Sequence, residues 1–214
     1  MNYLSHGWRF VDDPYFLAGV CVPDWLGVVN RKMRVRSRHA EPFLTDADPR
    51  VASLARGVMQ HHHDDDWFHG TRAFAEVSLA LAVGLREALP EGDGHRRGFL
   101  GHILVEILLD AILVAEDPQR LHAYYAALSR LDGVVVEDAV NRMATVTSDR
   151  LKVLVPRFVA EGFLWDYGDD DKLIYRLNQV LLRVKLPALP AEFRQTLPAA
   201  RALVRERRHE LLTP

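Results

Sequence analysis

Apolar residues recur along this chain every three to four positions, the period of an amphipathic helix and not of a half-buried strand. Helices are expected near 14–27, 49–69, 71–89, 96–116, 118–131, 134–147, 149–162, 170–186 and 191–212. Asp13-Pro14, Asp48-Pro49 and Asp117-Pro118 each introduce such a stretch. Aspartate accepts the orphan N–H groups of a first helical turn, and proline fits there because its missing N–H loses no partner. Pro23 and Pro156 fall within predicted helices and are expected to break or bend them. Gly133-Val134-Val135-Val136-Glu137 has the composition of a strand, but it runs into Asp138 and Ala139 without a turn signal and is read as helix. Residues 90–94 form a predicted loop. An acidic loop at 166–171 leads into a helix whose N-terminal dipole suits negative charge. The pattern contains no run of alternating strands, no repeat and no low-complexity tract. The expected fold is all-α, a single helical domain over residues 1–214.

Two places break the apolar pattern in an ordered way. His61-x3-Asp65-x3-His69 is flanked by His62, His63, Asp64 and Asp66. His102-x3-Glu106-x3-Asp110 lies inside the apolar run 99–113. A four-residue step advances a helix by about 400°, so each trio stays on one face. In the second trio three polar groups share a surface otherwise built to be buried. A buried carboxylate without a partner costs several kcal/mol, and a metal ion is one way to compensate it. The bland readings are a solvated polar helix end for 61–69, and a satisfied core histidine with arginine-paired acids for 99–113. His/Asp mixtures suit manganese, iron, zinc or magnesium, since hard cations take carboxylate oxygen and first-row transition ions also take imidazole.

Composition narrows the classes. Apolar residues make up 49% and charged residues 26% of 214, which suits a globular protein with a sizeable core. The net charge of -2 gives no global bias toward nucleic acid. Cys21 is the single cysteine, which excludes an internal disulfide and cysteine-rich zinc or iron–sulfur sites and suggests a cytoplasmic location. The opening residues lack a signal-peptide pattern, and the longest apolar runs are expected to be too short and too interrupted by charge to span a bilayer. A basic stripe, Arg31-Lys32-x-Arg34-x-Arg36-x-Arg38-His39, reads either as an extended loop that suits phosphate or an acidic partner, or as a solvated linker. It lacks the aromatic interleaving of a single-stranded nucleic-acid surface. Asp24, after Pro23, is a candidate acid or a helix N-cap. His6, among Tyr3, Leu4 and Trp8, reads as a packed histidine. There is no P-loop, dinucleotide fingerprint, Gly-x-Ser-x-Gly elbow or His-Glu-x-x-His motif.

In their order these segments resemble a known family. Met1-Asn2-Tyr3-Leu4-Ser5-His6, then Leu17-Ala18-Gly19 leading to Asp24, then Gly57-Val58-Met59-Gln60-His61-x3-Asp65, then Glu106-Ile107-Leu108-Leu109-Asp110-Ala111-Ile112-Leu113 are similar to the motifs of acyl carrier protein phosphodiesterase. That family is a divergent branch of the HD-domain metal-dependent phosphohydrolases. The motifs end near residue 116. The resemblance implies an HD-domain-like helical fold, a divalent metal (often manganese), and removal of phosphopantetheine from an acyl carrier protein. It implies Asp24, His61, Asp65 and Asp110 as metal or catalytic residues. The chain departs from the pattern at His62 (arginine in the family), His69 (aspartate), Glu106 (aspartate) and Leu109 (tryptophan).

The function expected from residues and resemblance together is metal-dependent phosphoester hydrolysis, on an acyl carrier protein or another phosphodiester. His61, Asp65, His102 and Asp110 are the expected ligands, with Asp24 completing the shell. Asp24 or Glu106 would orient the water, and His69 or His62 would protonate the leaving oxygen. The alternatives are a catalytically inactive helical interaction module and a phospholipase C-like or nuclease-like metal hydrolase.

Overall fold

A computed structural model describes residues 1–89 and 94–213. The helices are α1 (Tyr3–Gly7), α2 (Pro14–Val29), α3 (Ser37–Ala40), α4 (Pro49–Gly70), α5 (Arg72–Gly84), α6 (Gly94–Glu116), α7 (Pro118–Ser129), α8 (Gly133–Met143), α9 (Leu151–Glu161), α10 (Asp170–Arg183), α11 (Leu197–Glu206) and α12 (Arg208–Leu212). Short 3-10 turns lie at Glu41–Phe43, Phe163–Gly168 and Ala191–Thr196. The fold is all-α, with no strand among the described residues. The loop predicted at 90–94 falls outside the described residues, apart from Gly94, where α6 begins.

All three Asp-Pro pairs open helices as expected. Asp13 accepts from the N–H groups of Tyr15 and Phe16, Asp48 from Arg50, and Asp117 from Arg120. The valine run at 134–136 is helical against its β-branched propensity. Asp132 caps it by accepting from Val134 and Val135, while Val136 and Val140 are buried. Of the two outcomes expected at Pro23 and Pro156, a break does not occur: α2 and α9 continue through them. Each proline removes one backbone hydrogen bond, and burial of Trp25 and Leu26 after Pro23, and of Phe158 after Pro156, offsets the loss. Gly162 ends α9 in the left-handed conformation, at φ 56°, where a side chain is strained.

The chain forms two compact units: Met1 with 3–66 and 117–162, and Asn2 with 67–116 and 163–214. In the first, α2 packs against α1, α7, α8 and α9, with Leu17, Val20, Val22, Trp25 and Leu26 in the core. Ser53, Gly57, His61 and Asp65 follow one another at four-residue steps and share a face of α4. Ser53 Oγ donates to Asp13 at the start of α2. One turn on, Gly57 meets Gly19 of α2 backbone to backbone. A Cβ on Gly57 would stand 2.1 Å from the Phe16 carbonyl oxygen and 2.9 Å from Gly19 Cα. Only two glycines allow this approach, and it brings the next residue on the α4 face, His61, against α2.

In the second unit α5 lies along α6. At Gly101 the two helices approach closely: a Cβ there would be 2.5 Å from the Ser78 carbonyl oxygen. Leu100, Leu104, Leu108 and Leu109 of α6 are fully buried. Leu173, Leu177 and Leu181 form the buried stripe of α10. Arg201 of α11 donates to Asp170 and to the Tyr167 carbonyl. By length and composition Arg96–Glu116 is long and apolar enough to cross a membrane, with a mean hydropathy of 2.0, which corrects the expectation that no run suffices. The acids Glu106 and Asp110 interrupt this run without shortening it, and 61% of its apolar window is buried inside the protein.

Candidate metal centre

The sharpest polar constellation in the first unit joins His6, His61 and Asp65, whose ligand-type atoms all lie within 4.8 Å of one another. His61 and His6 are buried. His61 Nδ1 lies 2.8 Å from the Val20 carbonyl oxygen. A carbonyl can only accept, so Nδ1 carries the proton and Nε2 is left facing Asp65 Oδ2 at 3.4 Å. His6 repeats the arrangement. Its Nδ1 lies 3.3 Å from Asp64 Oδ2, which itself belongs to a carboxylate fixed by Gln60, and its Nε2 lies 3.2 Å from Asp65 Oδ1. His6 Nε2 is buried and makes no well-formed hydrogen bond. The two imidazole rings stack with centroids 4.2 Å apart.

The electrostatics follow from this geometry. With Nδ1 of His61 the donor to Val20 O, a neutral His61 turns its Nε2 lone pair toward Asp65, and a neutral His6, flanked by Asp64 and Asp65, turns a lone pair toward one carboxylate or the other. Only a cation resolves that, either a proton on the ring or a metal shared by the three groups. Two donors bound at about 2.0–2.2 Å to one ion stand roughly 3–3.5 Å apart, and the 3.2 and 3.4 Å separations fit. The Met1 ammonium, 2.7 Å from Asp65 Oδ1, adds positive charge. Burial raises the Asp65 carboxyl, but hydrogen bonds to His6 and His61 and the nearby ammonium outweigh it and hold the group far below the usual carboxylate range. Burial lowers the His6 imidazole, and its bonds to Asp64 and Asp65 outweigh that and leave it raised above 6.5.

A second group, His69, His102 and Glu106, lies in the other unit and also keeps its ligand-type atoms within 4.8 Å. These two groups could each hold a metal ion. His61 and Asp65 thus come together as expected, but with His6, whose sequence surroundings suggest a packed histidine. The opening segment ending in His6 was the signal that could have identified it. His102, expected as a ligand, joins His69 and Glu106, both expected in catalytic roles. Asp110 is fully buried and accepts from Asn2 Nδ2 at 2.9 Å. Asp24 is half-buried on α2, one turn beyond Val20 and so on the face that meets His61. Asp110 and Asp24 belong to neither three-residue group. His62 is structural here: its Nε2 lies 2.8 Å from the Val35 carbonyl oxygen.

That contact ties the basic stripe to α4 beside His61. Met33 and Val35 are buried, while Arg31, Lys32, Arg34, Arg36 and Arg38 are exposed, so the alternation places the charges outward. A cavity of about 330 Å³ in the second unit, lined by Leu81, Leu85, Leu104, Leu203 and Glu192 among others, has no histidine on its wall. No protein-family model matches this chain, nor does any curated protein or solved structure.

Proposed function

We propose that the protein is a metal-dependent phosphoester hydrolase whose ion is held by His6, His61 and Asp65. The observation that carries this reading is the pair of Nδ1 clamps. Val20 O takes the Nδ1 proton of His61, Asp64 holds Nδ1 of His6, and both Nε2 atoms face Asp65. Metal-binding histidines are ordinarily oriented by such an outer acceptor. The ordered resemblance of the 1–113 motifs to acyl carrier protein phosphodiesterases supports the same reaction class, and a carrier-bound phosphopantetheine is the substrate that resemblance suggests.

A divalent ion bound there, of the manganese, iron or zinc type given two imidazoles, would supply Lewis acidity toward a phosphoryl oxygen and toward water. The chain's own contributions are these. Val20 O and Asp64 hold the two rings in one tautomer and orientation. Asp24, one turn beyond Val20 on α2, would take a proton from the attacking water. Water oxygen adds to phosphorus as the bond to the leaving alkoxide breaks, and a water proton passes to that oxygen. The exposed arginines of the 31–38 loop, tethered at His62, draw the phosphoester's negative charge toward α4.

The test uses bis(p-nitrophenyl) phosphate with protein stripped of metal and then supplied with manganese. Turnover should appear with manganese, vanish with chelator, and fall by at least about 100-fold in Asp65→Asn and His61→Ala. Turnover that persists in excess chelator, or that survives both substitutions, overturns the proposal.

A further inference from the structure

Among the described residues, His69, His102 and Glu106 form the other three-residue cluster of ligand-type side chains, which the proposed hydrolase site leaves unused. His102 and Glu106 are one turn apart on α6, and His69 comes from the last turn of α4. His69 Nε2 lies 2.8 Å and His102 Nε2 3.4 Å from the same oxygen, Glu106 Oε1. Both imidazoles therefore turn the same kind of nitrogen toward one carboxylate, at the spacing two ligands of a single ion adopt. The rings are braced. Phe74 contacts both, with centroids 4.8 Å from His69 and 4.9 Å from His102, and the two imidazoles stand 4.8 Å apart. Phe74 is itself fixed by packing against Phe68, and its N–H donates to Thr71 Oγ1 at the start of α5. Gly101 also brings α6 against α5 next to His102.

We infer that His69, His102 and Glu106 make a binding site for a first-row transition ion of the zinc or cobalt class. Two nitrogens and one carboxylate oxygen discriminate against magnesium and calcium, which prefer all-oxygen shells. Side-chain exposure of 32% for His69 and 44% for His102, against 16% for Glu106, leaves the outer coordination positions open to water. Three protein ligands with open positions describe an exchangeable site rather than a closed structural one.

The experiment is zinc and cobalt titration of the metal-stripped full chain, read by elemental stoichiometry and by the visible absorption of bound cobalt. Wild type should bind two ions per chain. The double variant His69→Ala/His102→Ala should lose one of them and retain the other, whereas Asp65→Asn should lose the other and retain this one. Phe74→Leu should keep the ligands but weaken this ion by about tenfold, as loss of a bracing group does. His102→Gln serves as a second, isosteric variant, and helical circular dichroism confirms that each variant is folded. An unchanged stoichiometry and cobalt spectrum in folded His69→Ala/His102→Ala overturns the inference. An ion that persists in Asp65→Asn and disappears with His69 and His102 upholds it, whatever becomes of the hydrolase reading.

Discussion

Gly57→Ala probes how the fold builds its histidine cluster. The added methyl would lie 2.1 Å from the Phe16 carbonyl oxygen, where real Cβ contacts stay above 3.0 Å, so α2 and α4 must part by about 0.9 Å. The clash is with backbone, not with a side chain that can swing away. Overpacking of this kind costs about 1–3 kcal/mol, offset by at most ~1 kcal/mol of helix propensity gained over glycine. A net loss of about 1–2 kcal/mol lowers Tm by roughly 2–8 °C for a chain of this size. The separation also lengthens the 2.8 Å contact of His61 Nδ1 with Val20 O, which loosens the ring and weakens manganese binding by about 10–100-fold. Gly27→Ala is the matched control on α2: nothing lies within 4 Å of its Cβ, so it should leave stability unchanged or raise it by up to ~1 kcal/mol. Differential scanning calorimetry and manganese titration read both effects. A Gly57→Ala protein with wild-type Tm and wild-type manganese affinity would refute the claim that the glycine crossing sets the position of His61.

Asp65 and Glu106 both titrate below their ordinary values of 3.8 and 4.5 in the folded chain. Their stabilising contribution is present above those values and is lost as pH falls, so Tm should drop steeply below about pH 4, and Asp65→Asn should flatten that drop in a pH series of thermal melts. Cys21 is buried with Sγ 2.9 Å from the Tyr124 hydroxyl; it should resist a thiol reagent in the native protein and react stoichiometrically in denaturant. Gly162→Ala should cost about 1 kcal/mol because position 162 sits at φ 56°, a loss visible as a lower urea midpoint.

Helix class and most helix positions are readable in the sequence because caps and periodicity are local. Asp13, Asp48 and Asp117 announce their helices by chemistry that acts within three residues. Partnership between helices is not local. The i, i+4 ladders correctly place His61 beside Asp65 and His102 beside Glu106, yet nothing in that spacing says which third side chain joins each pair. His6 sits on a helix of five residues, too short to show a period, and reaches Asp65 only through the tertiary fold. His69 continues the first ladder by spacing but turns to Glu106, since α4 passes from one compact unit to the other between residues 66 and 67. That the helices run on through the prolines at 23 and 156 has a related reason: the burial that outweighs a lost hydrogen bond comes from other helices.

The most direct measurement is an anomalous difference map from crystals soaked in manganese, collected at the manganese absorption edge. A peak bonded to His6 Nε2, His61 Nε2 and an Asp65 oxygen, with both Nδ1 atoms still held by Asp64 and Val20 O, is the predicted result. Density that shows His6 and His61 only hydrogen-bonded to Asp65, with no anomalous signal between them at saturating manganese, would contradict the account.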